Sequence, residues 1–279
     1  MKKLISLLTI FLITVTGAQT PDSLKNKWIP SLITQLGINQ VAFGNWVKGG
    51  ENSIAWALTG DFRYNMDGDV WTFKNQVKAT YGRSKVGDAS YRTTNNDLYL
   101  ENVATYNLGW AVSPFASNAI RTQVAKGYDY KNPLEPNISD FFDPGYLTQT
   151  IGFTYDKYKS VVTRFGLAFQ EVITNKFTSY SDKPSTTEIE KFKLETGIES
   201  VTDFNFNLAE NIIYLSKFRL FSRFESLDVW DIRFDNTITA SVNTWLKVNF
   251  TYNVLYEKAQ SPLTQTMQTL QIGITYTLL

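Results

Sequence analysis

SIAWALTGDFRYNMDGDVWTFKNQVKATY, Ser53 to Tyr81, decides the fold. In its first half Ile54, Trp56, Leu58, Phe62, Tyr64 and Met66 take the even positions with Gly60 among them, while Ser53, Ala55, Ala57, Thr59, Asp61, Arg63 and Asn65 take the odd ones. Successive side chains of a strand point to opposite faces. A period of two held over about fourteen residues therefore predicts a strand with one apolar and one polar face, longer than is usual in globular proteins. MDGD, Met66 to Asp69, supplies a tight hairpin turn. The pattern then resumes in the odd frame, with Trp71, Phe73, Val77, Ala79 and Tyr81 on one face and Thr72, Lys74, Gln76, Lys78 and Thr80 on the other.

The same alternation runs to the end of the chain. Leu98, Leu100, Ala104, Tyr106, Leu108, Trp110 and Val112 alternate with polar residues up to a turn at Ser113-Pro114, and Leu147 to Tyr155 and Val161 to Ile173 repeat it. Trp230 to Val242, Leu246 to Tyr256 and Leu270 to Leu278 close the series. The expected fold is all-β, a transmembrane antiparallel up-and-down barrel of about twelve strands. Short turns are expected near Asp67, Ser113, Lys157, Asp203 and Asn243, and longer connections near Gly49, Asp88, Pro136, Lys183, Asp228 and Ser261. That alternation places both termini and the short turns on the periplasmic side, with Trp71 and Trp110 beside short turns where an aromatic belt belongs. The pattern is weakest over 115–126 and 200–224. A secreted β-sandwich also alternates apolar and polar residues, but its strands are shorter and it would not set charge on the non-aromatic face of strand after strand.

The first residues, MKKLISLLTIFLITVTGAQT, read as a signal peptide over 1–18: two lysines, an apolar core too short to span a bilayer, then small residues ending at Ala18. The remainder, 19–279, is one barrel domain without internal repeat or linker, exported through the Sec pathway to the outer membrane. Removing Lys2 and Lys3 leaves 25 basic residues against 26 acidic ones, a balance that gives no support to nucleic-acid binding. The chain has no His and no Cys. A Ser-His-Asp triad, a Cys-His pair, an imidazole metal site and disulfides are therefore closed to it, and no metal or cofactor is expected.

Asn45-Trp46, Gly49-Gly50 and Asn52-Ser53 form a signature NWxxGGxNS, followed by Trp71, Asn75 and Tyr81-Gly82, and later by Ser216-Lys217 and Leu220-Phe221-Ser222. On these residues the chain resembles a family of outer-membrane barrels from the Bacteroidota catalogued as a domain of unknown function. The resemblance implies an outer-membrane barrel surrounded by the lipid bilayer and lipopolysaccharide, inserted by the barrel assembly machinery. It implies no activity.

Within that signature, a phosphate-gripping loop would need its glycines to lead into a helix N-terminus. Here Gly49-Gly50 lead into a strand, so a strand-to-strand connection is expected; the alternative is a loop folded inward that presents Trp46 and Lys48 to a solute. The longer loop Gly127 to Gly145 carries Pro133, Pro136 and Pro144 with Asp129, Glu135, Asp140 and Asp143, a stiff acidic segment without the EF-hand spacing, which by analogy with porins could constrict the lumen.

If the apolar frame meets lipid, the polar frame gathers Asp61, Arg63, Lys74, Lys78, Glu101, Arg164, Lys193, Glu195, Lys217, Arg219, Arg223, Asp231, Arg233 and Asp235 in the lumen. Two readings follow. Buried charges must be paired, so the residues form a self-satisfied network bracing a closed lumen, or they line a narrow channel that selects small polar or anionic solutes, with Arg219, Arg223 and Arg233 facing the anion. The first reading suits a plugged barrel with a structural or docking role in the envelope. An enzyme working through Asp231 and Asp235 is not expected, because residues four apart on one strand lie roughly 13 Å from each other. Outer-membrane phospholipase A and the omptin proteases, which this chain resembles in architecture, need a His it lacks.

Overall fold

The computed structural model describes residues 24–43, 50–158, 160–183, 185–258 and 261–277. The expected signal peptide, and Asn45, Trp46, Lys48 and Gly49 of the signature, lie outside them. In chain order the strands are β1 (Trp28–Val41), β2 (Ser53–Asp67), β3 (Trp71–Val86), β4 (Arg92–Tyr106), β5 (Ser113–Thr122), β6 (Gly127–Tyr128), β7 (Asn137–Ser139), β8 (Gly145–Tyr158), β9 (Val161–Ile173), β10 (Phe192–Ala209), β11 (Ile212–Arg223), β12 (Trp230–Ser241), β13 (Leu246–Tyr256) and β14 (Gln265–Thr277). All but β6 and β7, which pair with each other in the connection from β5 to β8, form one closed barrel of twelve strands. Each barrel strand pairs antiparallel with its neighbours, and β1 closes on β14 from Ile33 opposite Thr277 to Gly37 opposite Gly273. The seam between them pairs over those five positions only, so Ile38–Val41 of β1 and Gln265–Ile272 of β14 have no partner across it among the described residues.

The connections are mostly short at one end and longer at the other, as expected, although 107–112 is one residue longer than 87–91. At one end, the turn end, they span 68–70, 107–112, 159–160, 210–211 and 242–245; at the other, the loop end, 42–52, 87–91, 123–144, 174–191, 224–229 and 257–264. Two expected turns are corrected. Ser113-Pro114 begins β5 and the turn precedes it, because the apolar positions Leu108, Trp110 and Val112 belong to the turn and not to β4. Asp203 lies inside β10, which runs 18 residues before turning at 210–211. Its polar inner face there, including Glu199 and Asp203, mimics a turn in the sequence.

One frame of every strand points outward, and it is mostly apolar and exposed: Leu58, Phe153, Leu270 and Ile272 keep more than half of their surface accessible. Rings gather on this face at the turn end. Trp28 stacks on Tyr64 at 4.7 Å between centroids, and Trp71 meets Tyr106 edge-on at 5.0 Å. Trp110 lies in the neighbouring turn and is 75% exposed.

The inner frame is crowded enough to require glycine where walls converge. Gly152 and Gly166 face each other across β8 and β9, and a Cβ on either would lie 2.1 Å from the Phe165 carbonyl oxygen or 2.2 Å from that of Ile151. No side chain fits there.

Candidate functional site

The signature loop behaves as a strand connection over its described part. Gly50 has φ of 121°, a conformation that favours glycine. Asn52 then joins the loop ends, its Oδ1 accepting the Phe43 N–H at 2.7 Å and its carbonyl accepting the Gly87 N–H at 2.7 Å. Ser53 then begins β2, so the described part of the loop leads into a strand and not into a helix N-terminus.

All fourteen charges expected in the lumen fall on the inner frame of their strands: Asp61 and Arg63 on β2, Lys74 and Lys78 on β3, Glu101 on β4, Arg164 on β9, Lys193 and Glu195 on β10, Lys217, Arg219 and Arg223 on β11, and Asp231, Arg233 and Asp235 on β12. The strand period places them there; the barrel radius decides which of them meet.

The central group crosses the lumen. Glu101 of β4 accepts from Arg164 of β9 at 2.8 Å and from Lys217 of β11 at 2.5 Å. Asp203 of β10 holds the same two cations at 3.1 and 3.2 Å. In the barrel order β5, β8, β9 and β10 lie between β4 and β11, so the Glu101–Lys217 pair joins nearly opposite walls. A second crossing sits beside it. Arg121 of β5 grips Asp97 at 2.7 Å and reaches Asp235 of β12 at 3.4 Å, with its guanidinium 5.5 Å from the Tyr99 ring centroid.

The remaining charges pair along the wall. Glu195 takes Arg223 at 2.7 Å and Lys193 at 2.5 Å, Arg223 takes Asp231 at 2.7 Å, and Arg219 takes Glu199 at 2.6 Å. Arg63 closes on Asp61 and Arg233 on Asp235, each at 2.9 Å. Arg219, Arg223 and Arg233, the expected anion-facing guanidiniums, are thus each engaged by a carboxylate. Asp231 and Asp235 are likewise held by arginines. Lys74 and Lys78 face the same space and make no direct ion pair among the described residues.

Asp97, Tyr99, Arg121, Glu199 and Asp203 complete the network and escaped the sequence reading as its members. Glu195, Glu199 and Asp203 recur every four residues on one face of β10, a spacing that could have found them. Arg121 was hidden by its strand. On β5 the inner frame holds Phe115 and Ala119 while the outer holds Asn118, which inverts the expected polarity.

A cavity of about 270 Å³ occupies the lumen above the crossing and reaches the loop end. Glu101, Arg164 and Lys217 contribute to its lining at one side, and Pro144, Tyr180 and Glu257 at the other. Of the long acidic loop only Pro144 lines the cavity; Glu135 pairs with Arg92 and the Tyr130 hydroxyl accepts the Thr93 N–H at 2.8 Å, so the loop leans on the β4 rim. At the loop end beyond β13, burial pushes the Glu257 carboxyl up to about 7, with the negative charge of Asp231 adding to it. Burial raises the Tyr180 hydroxyl as well, Glu257 contributing. Asp143 goes the other way. Burial opposes its charge, but the backbone N–H groups of Asn175 and Lys176, each at 2.8 Å, and of Phe177 outweigh burial and hold the carboxyl below its usual range.

Residues 38–128 match the model of a family described as protein of unknown function (DUF3078). No curated protein matches the chain. Among solved structures, the chain is similar to the COG4313 outer membrane channel from Pseudomonas putida F1, with 11% identity and a TM-score of 0.40 over 93% of this chain and 99% of that one. It is also similar to the translocator domain of the autotransporter NalP from Neisseria meningitidis, with 8% identity and a TM-score of 0.39 over 91% of each chain. The NanC porin gives 8% identity and a TM-score of 0.39 over 88% of this chain and 98% of that one.

Proposed function

We propose that the protein is an outer-membrane barrel whose lumen is closed at rest by ion pairs, leaving a loop-side cavity that takes small polar solutes without an open path to the periplasm. The observation that carries this reading is Glu101, gripped at once by Arg164 and Lys217 from distant walls. An open filter needs charges that face the passing ion; here the carboxylates and guanidiniums face each other. Arg164 is only 5% exposed, and a guanidinium that buried is tolerated because two carboxylates hold it. The exposed apolar outer face, the aromatic cluster at the turn end and the alternation of short and long connections support the membrane setting.

Planar-bilayer recording of the refolded barrel tests this. The wild-type protein is expected to be electrically silent at low voltage, while the Glu101→Ala/Lys217→Ala pair, which removes both ends of the crossing, conducts. Stable ohmic conductance by the wild-type protein, with an anion preference lost when Arg219, Arg223 and Arg233 are neutralised, would overturn the closed-lumen reading in favour of a selective pore.

A further inference from the structure

The outer face breaks its apolar pattern along one row. Asn75 of β3 is opposite Asn102 of β4, Asn102 is opposite Asn118 of β5, and Asn118 is opposite Gln149 of β8. Directly paired residues of neighbouring strands point to the same face, and these four share the frame of Phe73, Leu100, Ile120 and Ile151. The row therefore faces away from the lumen.

Its depth is set by the aromatic belt. Asn75 stands four residues from Trp71, and Asn102 four from Tyr106, roughly 13 Å along tilted strands and so about 10 Å into an apolar band about 25 Å tall. Lipid tails offer no hydrogen bonds at that depth. Part of the row is satisfied internally: Asn75 donates to the Tyr64 carbonyl at 2.6 Å and Asn102 donates to the Asn75 carboxamide at 2.8 Å. The rest is not. Asn118 Oδ1 has no partner but is covered by its own wall, and Gln149, exposed with no hydrogen bond among the described residues, is the open carboxamide of the row. Asn236, a carboxamide on the outer face of β12, provides the contrast, since its Oδ1 takes the Tyr214 hydroxyl at 2.6 Å and its Nδ2 the Tyr252 carbonyl at 3.0 Å.

We propose that the β3–β4–β5–β8 face is the contact by which two copies of this chain associate side by side in the membrane. A carboxamide both donates and accepts, so a row of carboxamides is complementary to itself about a two-fold axis, as an isologous contact requires. Ala104 and Ala116 are opposite each other on the turn side of the row and keep that strip shallow, so two barrel walls can approach closely.

The absence of native cysteine makes the test clean. Single-cysteine variants Ala104→Cys and Ala116→Cys, and Ile272→Cys on β14 as the control face, are treated with a short bis-maleimide in native outer membranes. The proposal expects a product of twice the mass from the first two and none from the third. In the Ala116→Cys background, Asn102→Leu/Gln149→Leu should cut the yield roughly tenfold or more, because the shared hydrogen bonds are lost while heat-resistant mobility confirms folding. No self-product at either alanine, an equal yield at Ile272→Cys, or a product containing a different protein would overturn it; the cross-linking arm stands even if the double variant fails to fold.

Discussion

Carboxylates inside the lumen and carboxylates on its rim differ in what holds them. Within the lumen, Glu101 is met by two cations from other walls, and both partners are withdrawn from water, Arg164 with 6% and Lys217 with 25% of its side chain exposed. At the turn end, Lys25 and Asp69 approach equally closely, at 2.5 Å, yet their side chains are 49% and 59% exposed. At the loop end Asp143 is held by backbone N–H groups, and burial raises Glu257. Distance does not rank these groups. The medium does, because attraction and the cost of isolation both grow as water is excluded.

The sharpest way to break the contrast is to remove one partner from the crossing. Glu101→Ala strands Arg164 and Lys217 with only Asp203 between them, and a buried pair broken on one side costs about 3–5 kcal/mol. Urea unfolding from lipid vesicles should register that loss. If the midpoint barely moves, water already reaches the crossing and the lumen is more open than the ion pairs imply.

Glu257 offers the opposite sign. Its folded carboxyl, raised to about 7, stays protonated where the unfolded chain has begun to ionise, so it withdraws stability as pH rises through the interval from its ordinary 4.5 to about 7. Glu257→Gln should therefore leave stability at pH 4 unchanged and raise it at pH 8 by up to about 3 kcal/mol. Equal effects at both pH values would show that burial does not govern this group.

Asp143 restores the usual carboxylate sign with a smaller effect. Its folded carboxyl lies below its ordinary 3.8, so its contribution is fully present above that value and is lost as pH falls through the lower folded value. Asp143→Ala should cost about 1–3 kcal/mol at neutral pH, the penalty for leaving buried N–H groups unmet. The effect should shrink in strong acid, where the neutral carboxyl accepts these bonds more weakly. Limited proteolysis of the 174–191 loop follows the same change locally.

Much of this was legible in the sequence, for a physical reason. A strand with water or charge on one side and lipid on the other must alternate, so the frame set by Ser53 to Met66 and repeated strand after strand pointed to both the barrel and the inward set of fourteen charges. What the period cannot carry is who meets whom: the Glu101–Lys217 contact spans 116 residues and depends on the curvature of the wall. Where local patterning failed, the misreading had a cause. Asp203 looked like a turn residue because β10 continues past its apolar stretch. The blurred strand at Phe115 to Thr122 carries Asn118 outward, where a lipid-facing residue is normally apolar.

The exposed end of the comparison gives the smallest prediction. The Asp69 carboxyl is lowered by hydrogen bonds from Lys25 and Asn26 and by the charge of Lys25. Water competes for every one of those partners, and ordering the lysine side chain costs rotamer freedom that the contact must recover. Asp69→Ala should leave the unfolding midpoint unchanged within error, and added salt should not separate variant from wild type. A measurable loss would mean that the β2–β3 turn docks against the segment before β1 more tightly than its exposure implies, with the Asn26 amide N–H to Asp67 carbonyl bond, at 3.0 Å, as the contact to test next.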